Sequence, residues 1–345
     1  MVFIWIGFIV LILALLALDL GVVHRRAHAV GMREALAWSA VWVALGLSFT
    51  VFIYFGYEQH WLGMGGRPDP IDGLINDGWS ASLKYLTGYV VEKSLSVDNI
   101  FVIAMLFGFF AVPAAYQHRV LFWGIMGALI MRGAMIGLGV QLIAAAHWIL
   151  YVFGAFLIVT AVKMLLMKTD HVDPSHNIVV RLARRCFPVS DRYHGGSFAI
   201  RHEGRWHLTP LAIALIMIET TDLIFAVDSI PAIFAITADP FLVFTSNVFA
   251  ILGLRALYFA LAGMMGKFRY LKVSLAVVLA LVGGKMLAAE WLKQVMGPHF
   301  TLYLLAAVMA ILGAGVVASL LRGNQQMHTD ESDGAAQKKE ARQPV

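Results

Sequence analysis

Apolar residues dominate nine stretches of the chain, each about as long as a lipid bilayer is thick. They are residues 2–23, 35–57, 80–110, 118–143, 147–167, 208–236, 241–264, 271–291 and 299–321. About twenty apolar residues in a helix cross the hydrocarbon core, and runs of this length in lipid suit helices because the helix satisfies its own backbone polar groups. The pattern therefore predicts an all-α polytopic membrane protein with about nine transmembrane helices.

The composition supports this class and argues against others. The 345 residues are 60% hydrophobic and 14% charged. The net charge of +5 does not indicate nucleic-acid binding, because the basic residues lie in short connections between the apolar runs. The first run lacks a preceding basic segment and a cleavage site, so we interpret it as a retained span. Cys186 is the only cysteine, which excludes a disulfide or a thiolate metal cage within one chain.

The basic residues also predict an orientation. Eighteen of the 26 lysines and arginines lie in one alternate set of connections and in the C-terminal tail, whereas the other connections, such as "ITADP", are acidic or nearly uncharged. Positively charged connections stay in the cytoplasm. We therefore expect the N-terminus outside and the C-terminus in the cytoplasm. The first expected partner of the chain is the lipid bilayer.

Two polar segments interrupt or end the apolar pattern. Residues 168–207 are expected to form a cytoplasmic linker, in which "SFAIRHEGRWHLTP" predicts a small hairpin turning at Gly204. Residues 323–345 lack apolar periodicity and are expected to be disordered. The predicted organisation is two N-terminal helices in 1–57, a three-helix unit in 80–167, the linker, a second three-helix unit in 208–291, a last helix in 299–321 and the tail.

The two three-helix units repeat one charge pattern. "SVDNI" at 96–100 matches "AVDSI" at 226–230. The matched pairs are Asp98 with Asp228, Asn99 with Ser229, Glu92 with Asp222, Arg132 with Arg255 and Lys163 with Lys285. Because each unit has three spans, an odd number, the second enters the membrane from the opposite side. The sequence thus predicts an inverted repeat, an arrangement of transporters whose site lies near the bilayer midplane.

The charges within the apolar runs balance. The acids are Glu92, Asp98, Glu219, Asp222 and Asp228, and the bases are Lys93, Arg132, Lys163, Arg255 and Lys285. Charge inside a membrane is costly and usually functional. The alternative is a set of ion pairs that only hold helices together. Function is favoured, because buried ion pairs often barely recover their desolvation and apolar packing would serve as well.

Helical spacing arranges these residues in stripes. Glu92, Ser96 and Asn99 share one helix face, and Asp222 and Ser229 share the matching face in the second unit.

The aspartates of the repeated motif lie off these stripes. In a regular helix Asp98 and Asp228 are about 120° away from them. A kink at Pro231 would bring the aspartates together and free the carbonyl of Val227 as a ligand, and an ordinary packing kink is the equal alternative.

Oxygen ligands of this kind suit hard divalent cations such as Mg²⁺, Ca²⁺ or Mn²⁺. Asp98 and Asp228 are the predicted central ligands. Around them we expect Glu92, Asp222, Asn99, Ser229 and Glu219. Asn247 is either a further ligand or an interhelical hydrogen-bonding residue. Arg132, Arg255, Lys163, Lys285 and Lys93 are the predicted charge partners of the empty site. Asp19, near the end of the first span, is explained by capping or snorkelling.

The assembled segments resemble a known family. "YVVEKSLSVDNIFV", "ALIMRGAMI", "FGAFLIVTAVKM", "IETTDLIFAVDSIPAIFAITADPFLVFTSNVFAILGLRALYF" and "GGKML" are similar to the TerC family of bacterial membrane proteins, and to its Alx-like branch, over roughly residues 3–320. The resemblance implies a LysE-superfamily-like fold of three-helix repeats, a bacterial inner-membrane location, and an association with tellurium resistance, alkaline induction and manganese export. It also implies that the acidic and polar membrane positions handle metal.

The leading hypothesis is an exporter of divalent cations, most of all Mn²⁺, that works by alternating access and is not an enzyme. No permanently bound cofactor is expected, and protons are the candidate coupling ions because buried carboxylates bind protons readily. One alternative is a membrane partner in metal delivery or tellurium resistance.

Another alternative is an intramembrane aspartyl hydrolase with Asp98 and Asp228 as its dyad. The absence of a Gly-x-Gly-Asp motif and the basic residues of each repeat weigh against it. The sequence leaves open the choice among Mn²⁺, Ca²⁺ and Mg²⁺, whose ligands overlap, and the oligomeric state.

Overall fold

The computed structural model of the chain describes residues 2–21, 31–146, 148–166, 178–190, 192–202, 204–261, 271–289, 291–292 and 301–319. Helices make up nearly all of it, which confirms the predicted all-α membrane fold. The predicted tail, 323–345, and residues 168–177 of the predicted linker lie outside the described residues.

Every predicted apolar run contains one helix or a pair of helices, and the predicted linker contains one more helix, α6. They are α1 Val2–Gly21, α2 Met32–Glu58, α3 Gly78–Phe109, α4 Ala114–Ala145, α5 Ile149–Leu166, α6 Ile178–Cys186, α7 Pro210–Phe234, α8 Pro240–Ile251, α9 Leu254–Leu261, α10 Leu271–Leu287 and α11 Thr301–Ser319. Among the described residues, seven stretches are long and apolar enough to cross a membrane, with α8 and α9 counted as one. Helix α3 has the length, 32 residues, but is interrupted by charges, and α10 has 17 residues.

Local sequence explains where several helices begin. Asp77 and Ser80 form a reciprocal capping box at the start of α3. Thr209 caps α7, and Asp239 caps α8 by accepting hydrogen bonds from two backbone N–H groups. Each of these two caps is followed by a proline, which suits the first helical position because its missing N–H would have no partner there.

The predicted span 241–264 is not one continuous helix. The chain leaves the helix at Leu252 and Gly253, where Gly253 has φ of +84°, and α9 restarts at Leu254. A Cβ at Gly253 would lie 2.6 Å from Cβ of Trp42 on α2. Glycine is therefore needed for both the backbone conformation and the close approach of α2. The apolar pattern gave no sign of this break because the residues on both sides are equally apolar.

The linker contains the predicted hairpin. Strands β1 Ala199–His202 and β2 Arg205–Leu208 pair antiparallel, with Ala199 opposite Leu208 and His202 opposite Arg205. Gly204 has φ of +77° in the turn, so the predicted turning point is confirmed. Tyr193 donates a hydrogen bond to the carbonyl of Phe110, which fixes the linker against the connection between α3 and α4.

Helix α3 lies at the centre of the bundle, in contact with α2, α7 and α8. Helices α5 and α10, the third helices of the two predicted units, pack closely against each other. Their glycines allow this approach, since a Cβ on Gly154 would lie 3.1 Å from the carbonyl oxygen of Gly283, and a Cβ on Gly283 would lie 2.8 Å from that of Gly154. Small residues commonly permit such backbone contact between membrane helices.

An ionic cluster closes one end of the bundle. Asp69, in the connection between α2 and α3, accepts hydrogen bonds from Lys84 at 2.9 Å, from Thr237 and from the backbone N–H of Ala238 at 3.0 Å. Lys84 also contacts Asp72 at 2.6 Å. Both Asp69 and Lys84 are buried. The cluster therefore ties the connection before α3 to the connection between α7 and α8.

Burial acts to raise the pKa of Asp69, but the Lys84 ammonium and the hydrogen bonds from Thr237 and Ala238 outweigh it. The pKa of the Asp69 carboxyl consequently lies below its ordinary value. A carboxylate whose pKa is lower in the folded state stabilises the fold above its unfolded pKa. That contribution is lost as the pH falls through the folded value.

We predict that Gly253→Ala lowers the melting temperature of the detergent-solubilised protein. An alanine in a left-handed conformation costs roughly 1–2 kcal/mol, and its Cβ would also displace Trp42. The matched control is Gly137→Ala on α4, where a Cβ meets nothing within 4 Å. Equal melting temperatures for the two variants would contradict the requirement for glycine at 253.

We predict that Asp69→Asn lowers the melting temperature at neutral pH and weakens its fall in acid. The wild-type contribution is complete above the ordinary aspartate pKa of about 3.9 and is lost as the pH falls from there through the lower pKa of the folded state. Lys84→Met should weaken the acid dependence in the same way, because it removes the cation that lowers the Asp69 pKa. The measurement is the melting temperature as a function of pH. An unchanged acid dependence in both variants would show that the cluster does not control acid stability.

Candidate ion-binding core

Arg132 of α4 lies in the middle of the bundle, surrounded by oxygen atoms from three other helices. The side chain is 2% exposed. It forms an ion pair with Glu92 of α3. It donates to both carboxylate oxygens of Asp222 on α7, at 3.2 and 3.4 Å. It also donates to Asn247 of α8 at 3.0 Å and to Ser229 of α7 at 3.3 Å. One guanidinium therefore holds α3, α7 and α8 together.

Glu92 is fully buried and only partly satisfied. One carboxylate oxygen, Oε1, accepts from Arg132 and from Ser96 one turn along α3, the latter at 3.2 Å. The other oxygen, Oε2, has no hydrogen-bond partner among the described residues. A buried carboxylate oxygen without a partner is expensive, so this atom is available to a proton or a cation.

Glu219 of α7 is a second acid of this region. Asp222, one turn further along the same helix, acts on it electrostatically. A Cβ on Gly127 of α4 would lie 2.0 Å from Oε1 of Glu219, so the carboxyl group occupies space that only a glycine leaves open. Its Oε2 is buried and has no hydrogen-bond partner in the described part of the chain.

Asp98 and Asp228, the predicted central ligands, have different partners. Lys272 at the start of α10 is the cation that acts on Asp98. Asp228 accepts a hydrogen bond from Thr160 of α5 at 3.2 Å, and Lys163 of α5 acts on it electrostatically. The described contacts join neither aspartate to the Arg132 group, and none joins one aspartate to the other. Their positions agree with the offset of about 120° from the polar stripes expected in regular helices.

The basic residues of the second unit do not reproduce the partners of the first. Arg255, the counterpart of Arg132, pairs with Asp19 of α1 at 2.9 Å and donates to its backbone carbonyl at 3.2 Å. Capping or snorkelling was therefore an incomplete explanation of Asp19. Lys285 donates to the carbonyl of Ala235 just after α7. The spacing could not reveal the pair of Arg255 with Asp19, because α1 lies outside the repeat.

The side chain of Lys93, on α3, contacts the C-terminal end of α8, where the predicted span 241–264 is interrupted. Its ammonium donates to the carbonyl of Ala250 at 3.0 Å and to that of Leu252 at 3.4 Å, where α8 ends. The C-terminal end of a helix carries a partial negative charge and has carbonyls without intrahelical partners. A lysine at this point satisfies two of them.

The core thus offers two carboxylates, one amide oxygen and one hydroxyl around a single cation, Arg132. Within the described ranges, no three His, Cys, Asp or Glu side chains meet closely enough to hold a metal ion. Of the predicted ligands, the structure brings Glu92, Asp222, Ser229 and Asn247 together. Asn99 is buried on α3, and no described contact links it to this group.

These features define a helical multi-span membrane protein whose interior contains a hydrogen-bonded ionic core. The pattern of the Integral membrane protein TerC family matches residues 77–327, which include α3 through α11. The chain belongs to the TerC family.

Several relatives are similar along most of their length. The chain is 48% identical over 334 residues to "Uncharacterized membrane protein STKORF319" of Myxococcus xanthus, covering 97% of this chain and 96% of that protein. It is 47% identical over 290 residues to "Putative membrane-bound redox modulator Alx" of Escherichia coli K12, covering 83% and 86%. A membrane protein of Rickettsia felis is 36% identical over 324 residues, covering 94% and 99%. No solved structure matches the chain.

We predict that Arg132→Gln destabilises the protein by roughly 3–5 kcal/mol, because it leaves Glu92 and Asp222 buried without their cation. Neutralising the acids as well, in Arg132→Gln with Glu92→Gln and Asp222→Asn, should restore most of the stability. The measurement is thermal unfolding in detergent. Arg67→Gln, at an exposed arginine in the connection before α3, is the control. If the triple variant is no more stable than Arg132→Gln alone, charge balance does not govern the core.

Proposed function

We propose that the chain is a membrane transporter that exports divalent metal cations, most of all Mn²⁺, by alternating access around the Arg132 core. The observation that carries the proposal is the set of oxygen atoms around one buried cation. Glu92, Asp222, Ser229 and Asn247 supply carboxylate, hydroxyl and amide oxygens, which are hard ligands suited to Mn²⁺, Mg²⁺ or Ca²⁺.

Arg132 acts in this proposal as the counter-ion of the metal-free state. Two buried carboxylates repel each other and are poorly solvated, so Arg132 leaves them only when another cation arrives. A divalent ion carries the two positive charges that Glu92 and Asp222 together require. Release of the metal on the far side allows the guanidinium to return. In the metal-free state one guanidinium faces two carboxylates, so a proton on one of the acids would complete the charge balance.

Protons are the proposed coupling ions. Glu92 and Glu219 each have a buried carboxylate oxygen with no partner among the described residues, and neutralisation by a proton relieves that cost. This supports counter-transport of protons for metal, driven across the bacterial inner membrane. The proposed orientation places the N-terminus outside and the basic linker in the cytoplasm, following the distribution of positive charge.

In the proposed transporter, the inverted repeat is the framework of alternating access. Two observations support it: Glu92 and Asp222, its matched acids, bind the same guanidinium, and α5 and α10, its matched third helices, pack closely at Gly154 and Gly283. Asp98 and Asp228, also matched, would form a second pair of ligands along the path, next to Lys272 and Lys163.

Transport has three alternatives. An aspartyl hydrolase needs two carboxyls that share a proton, and the described contacts give Asp98 and Asp228 separate partners. The name of the Escherichia coli relative refers to redox modulation. Cys186 is the only thiol here, so dithiol exchange within one chain is excluded. A role in delivering metal to a protein partner, or in tellurium resistance, is compatible with the same core.

We predict that the purified protein moves Mn²⁺ across liposome membranes, and that Glu92→Gln or Asp222→Asn abolishes the flux by removing a charged ligand. The measurement is quenching of a trapped metal-sensitive dye, with Mg²⁺ and Ca²⁺ as competitors and with or without a pH gradient. Glu58→Gln is the control, because this residue is exposed and its one hydrogen bond within the described part of the chain comes from the backbone N–H of Gly78.

Asp98→Asn and Asp228→Asn belong to the same experiment. Loss of flux in these variants would place both aspartates on the ion path, and normal flux would remove them from it. Normal flux in Glu92→Gln and Asp222→Asn, or no flux in the wild-type protein, would contradict the proposed transport.

A further inference from the structure

Helix α6 in the linker has three distinct faces. Val180 and Ala183 pack against the bundle, and Val180 is 4% exposed. Ile178 and Leu182, one turn apart, are 77% and 58% exposed. At 100° per residue, Cys186 continues the same exposed stripe. The inner face anchors the helix to the bundle. The apolar stripe formed by 178, 182 and 186 faces outward, which is unfavourable in water and indicates that something apolar covers it.

The third face of α6 is basic. Arg181, Arg184 and Arg185 are exposed and lie beside the apolar stripe. The whole segment from 178 to 208 contains six arginines and two acids, a net charge of +4. A helix with an apolar stripe next to a row of arginines is typical of elements that lie in the headgroup region of a bilayer. The apolar side chains reach the acyl boundary while the guanidiniums contact phosphates.

The position of α6 also suits a membrane surface. The linker segment before the hairpin contacts α4 and the turn that precedes it: Arg119 of α4 lies over the ring of Phe198 at 5.3 Å, and Tyr193 donates to the carbonyl of Phe110. Thr209, immediately after β2, caps the span α7. The linker is therefore held where three membrane-spanning helices end or begin, which is the level of the lipid headgroups.

We propose that α6 is an interfacial helix that binds the anionic phospholipid headgroups of the membrane in which the protein lies. The arginine row contacts headgroup phosphates, and the stripe formed by 178, 182 and 186 enters the boundary with the acyl chains. The partner is lipid because both faces are used together, whereas a soluble polyanion would use the arginines alone. This binding does not depend on the transported ion.

The experiment uses Cys186, the single cysteine, as a natural labelling site on the apolar stripe. The full-length protein is labelled with an environment-sensitive fluorophore and placed in nanodiscs of phosphatidylcholine, with or without phosphatidylglycerol. Each lipid mixture is also prepared with doxyl-labelled lipid as a quencher. We expect a blue shift and strong quenching in the anionic discs, and a loss of both at high salt, because salt screens the headgroup charge.

The variant Arg181→Gln with Arg184→Gln and Arg185→Gln should lose the dependence on phosphatidylglycerol. Arg67→Gln, in the connection before α3, should keep it. Because Ile178→Ser with Leu182→Ser retains the arginines, it should keep the anionic dependence and show weaker quenching. Melting temperatures in detergent establish that each variant is folded.

Three results would overturn the proposal. Equal quenching in neutral and anionic discs would mean apolar insertion without headgroup recognition. Absence of quenching in both would mean that α6 does not meet lipid. An arginine-dependent response to heparin in detergent, together with no quenching by doxyl lipid, would identify a soluble polyanion as the partner.

Discussion

The ion pairs between Arg132 and two acids on different helices are the constraint around which the bundle is arranged. A guanidinium in the middle of a membrane protein is stable only where carboxylates and hydrogen-bond acceptors surround it. Glu92 and Asp222 supply the negative charge, and Ser229 and Asn247 accept further hydrogen bonds from the guanidinium. Because these residues come from α3, α7 and α8, the three helices are fixed in register. The same arrangement makes the centre of the protein electrostatically favourable for a positive charge.

Polar contacts recur at both ends of the bundle and complement this core. At one end, Asp69 and Lys84 join the connection before α3 to the turn before α8. Near the other, Arg255 joins α9 to Asp19 of α1. Apolar packing between membrane helices does not choose one rotation of a helix strongly over another, since lipid is equally apolar. The buried polar pairs supply that choice.

The sequence was sufficient for the apolar spans, the hairpin and the location of the charged positions, but not for the break between α8 and α9 or for helix α6 in the linker. Apolar runs and a glycine turn depend on local composition, which can be read directly from the sequence. The partners of the charges depend on how each helix is rotated and on which helices are neighbours. Asp98 and Asp228 illustrate the limit: their offset from the polar stripes was visible, but the facing residues on α5 and α10 were not. The Asp69 cluster was missed because its residues lie in a connection, where no periodicity marks burial.

The interruption of the seventh long segment has a consequence for what the protein interior can attract. Where α8 stops, the oxygens of Ala250 and Leu252 point at the ammonium of Lys93 instead of continuing a helical ladder. Peptide oxygens do not titrate, so this end of the helix remains electronegative whatever the acidity or the metal supply. Lys93 is adjacent in sequence to Glu92, which itself belongs to the Arg132 group. A rotation of α3 that disturbs one contact therefore moves the other. The main-chain oxygens at the end of α8 are thus linked through α3 to the side chains of the Arg132 group.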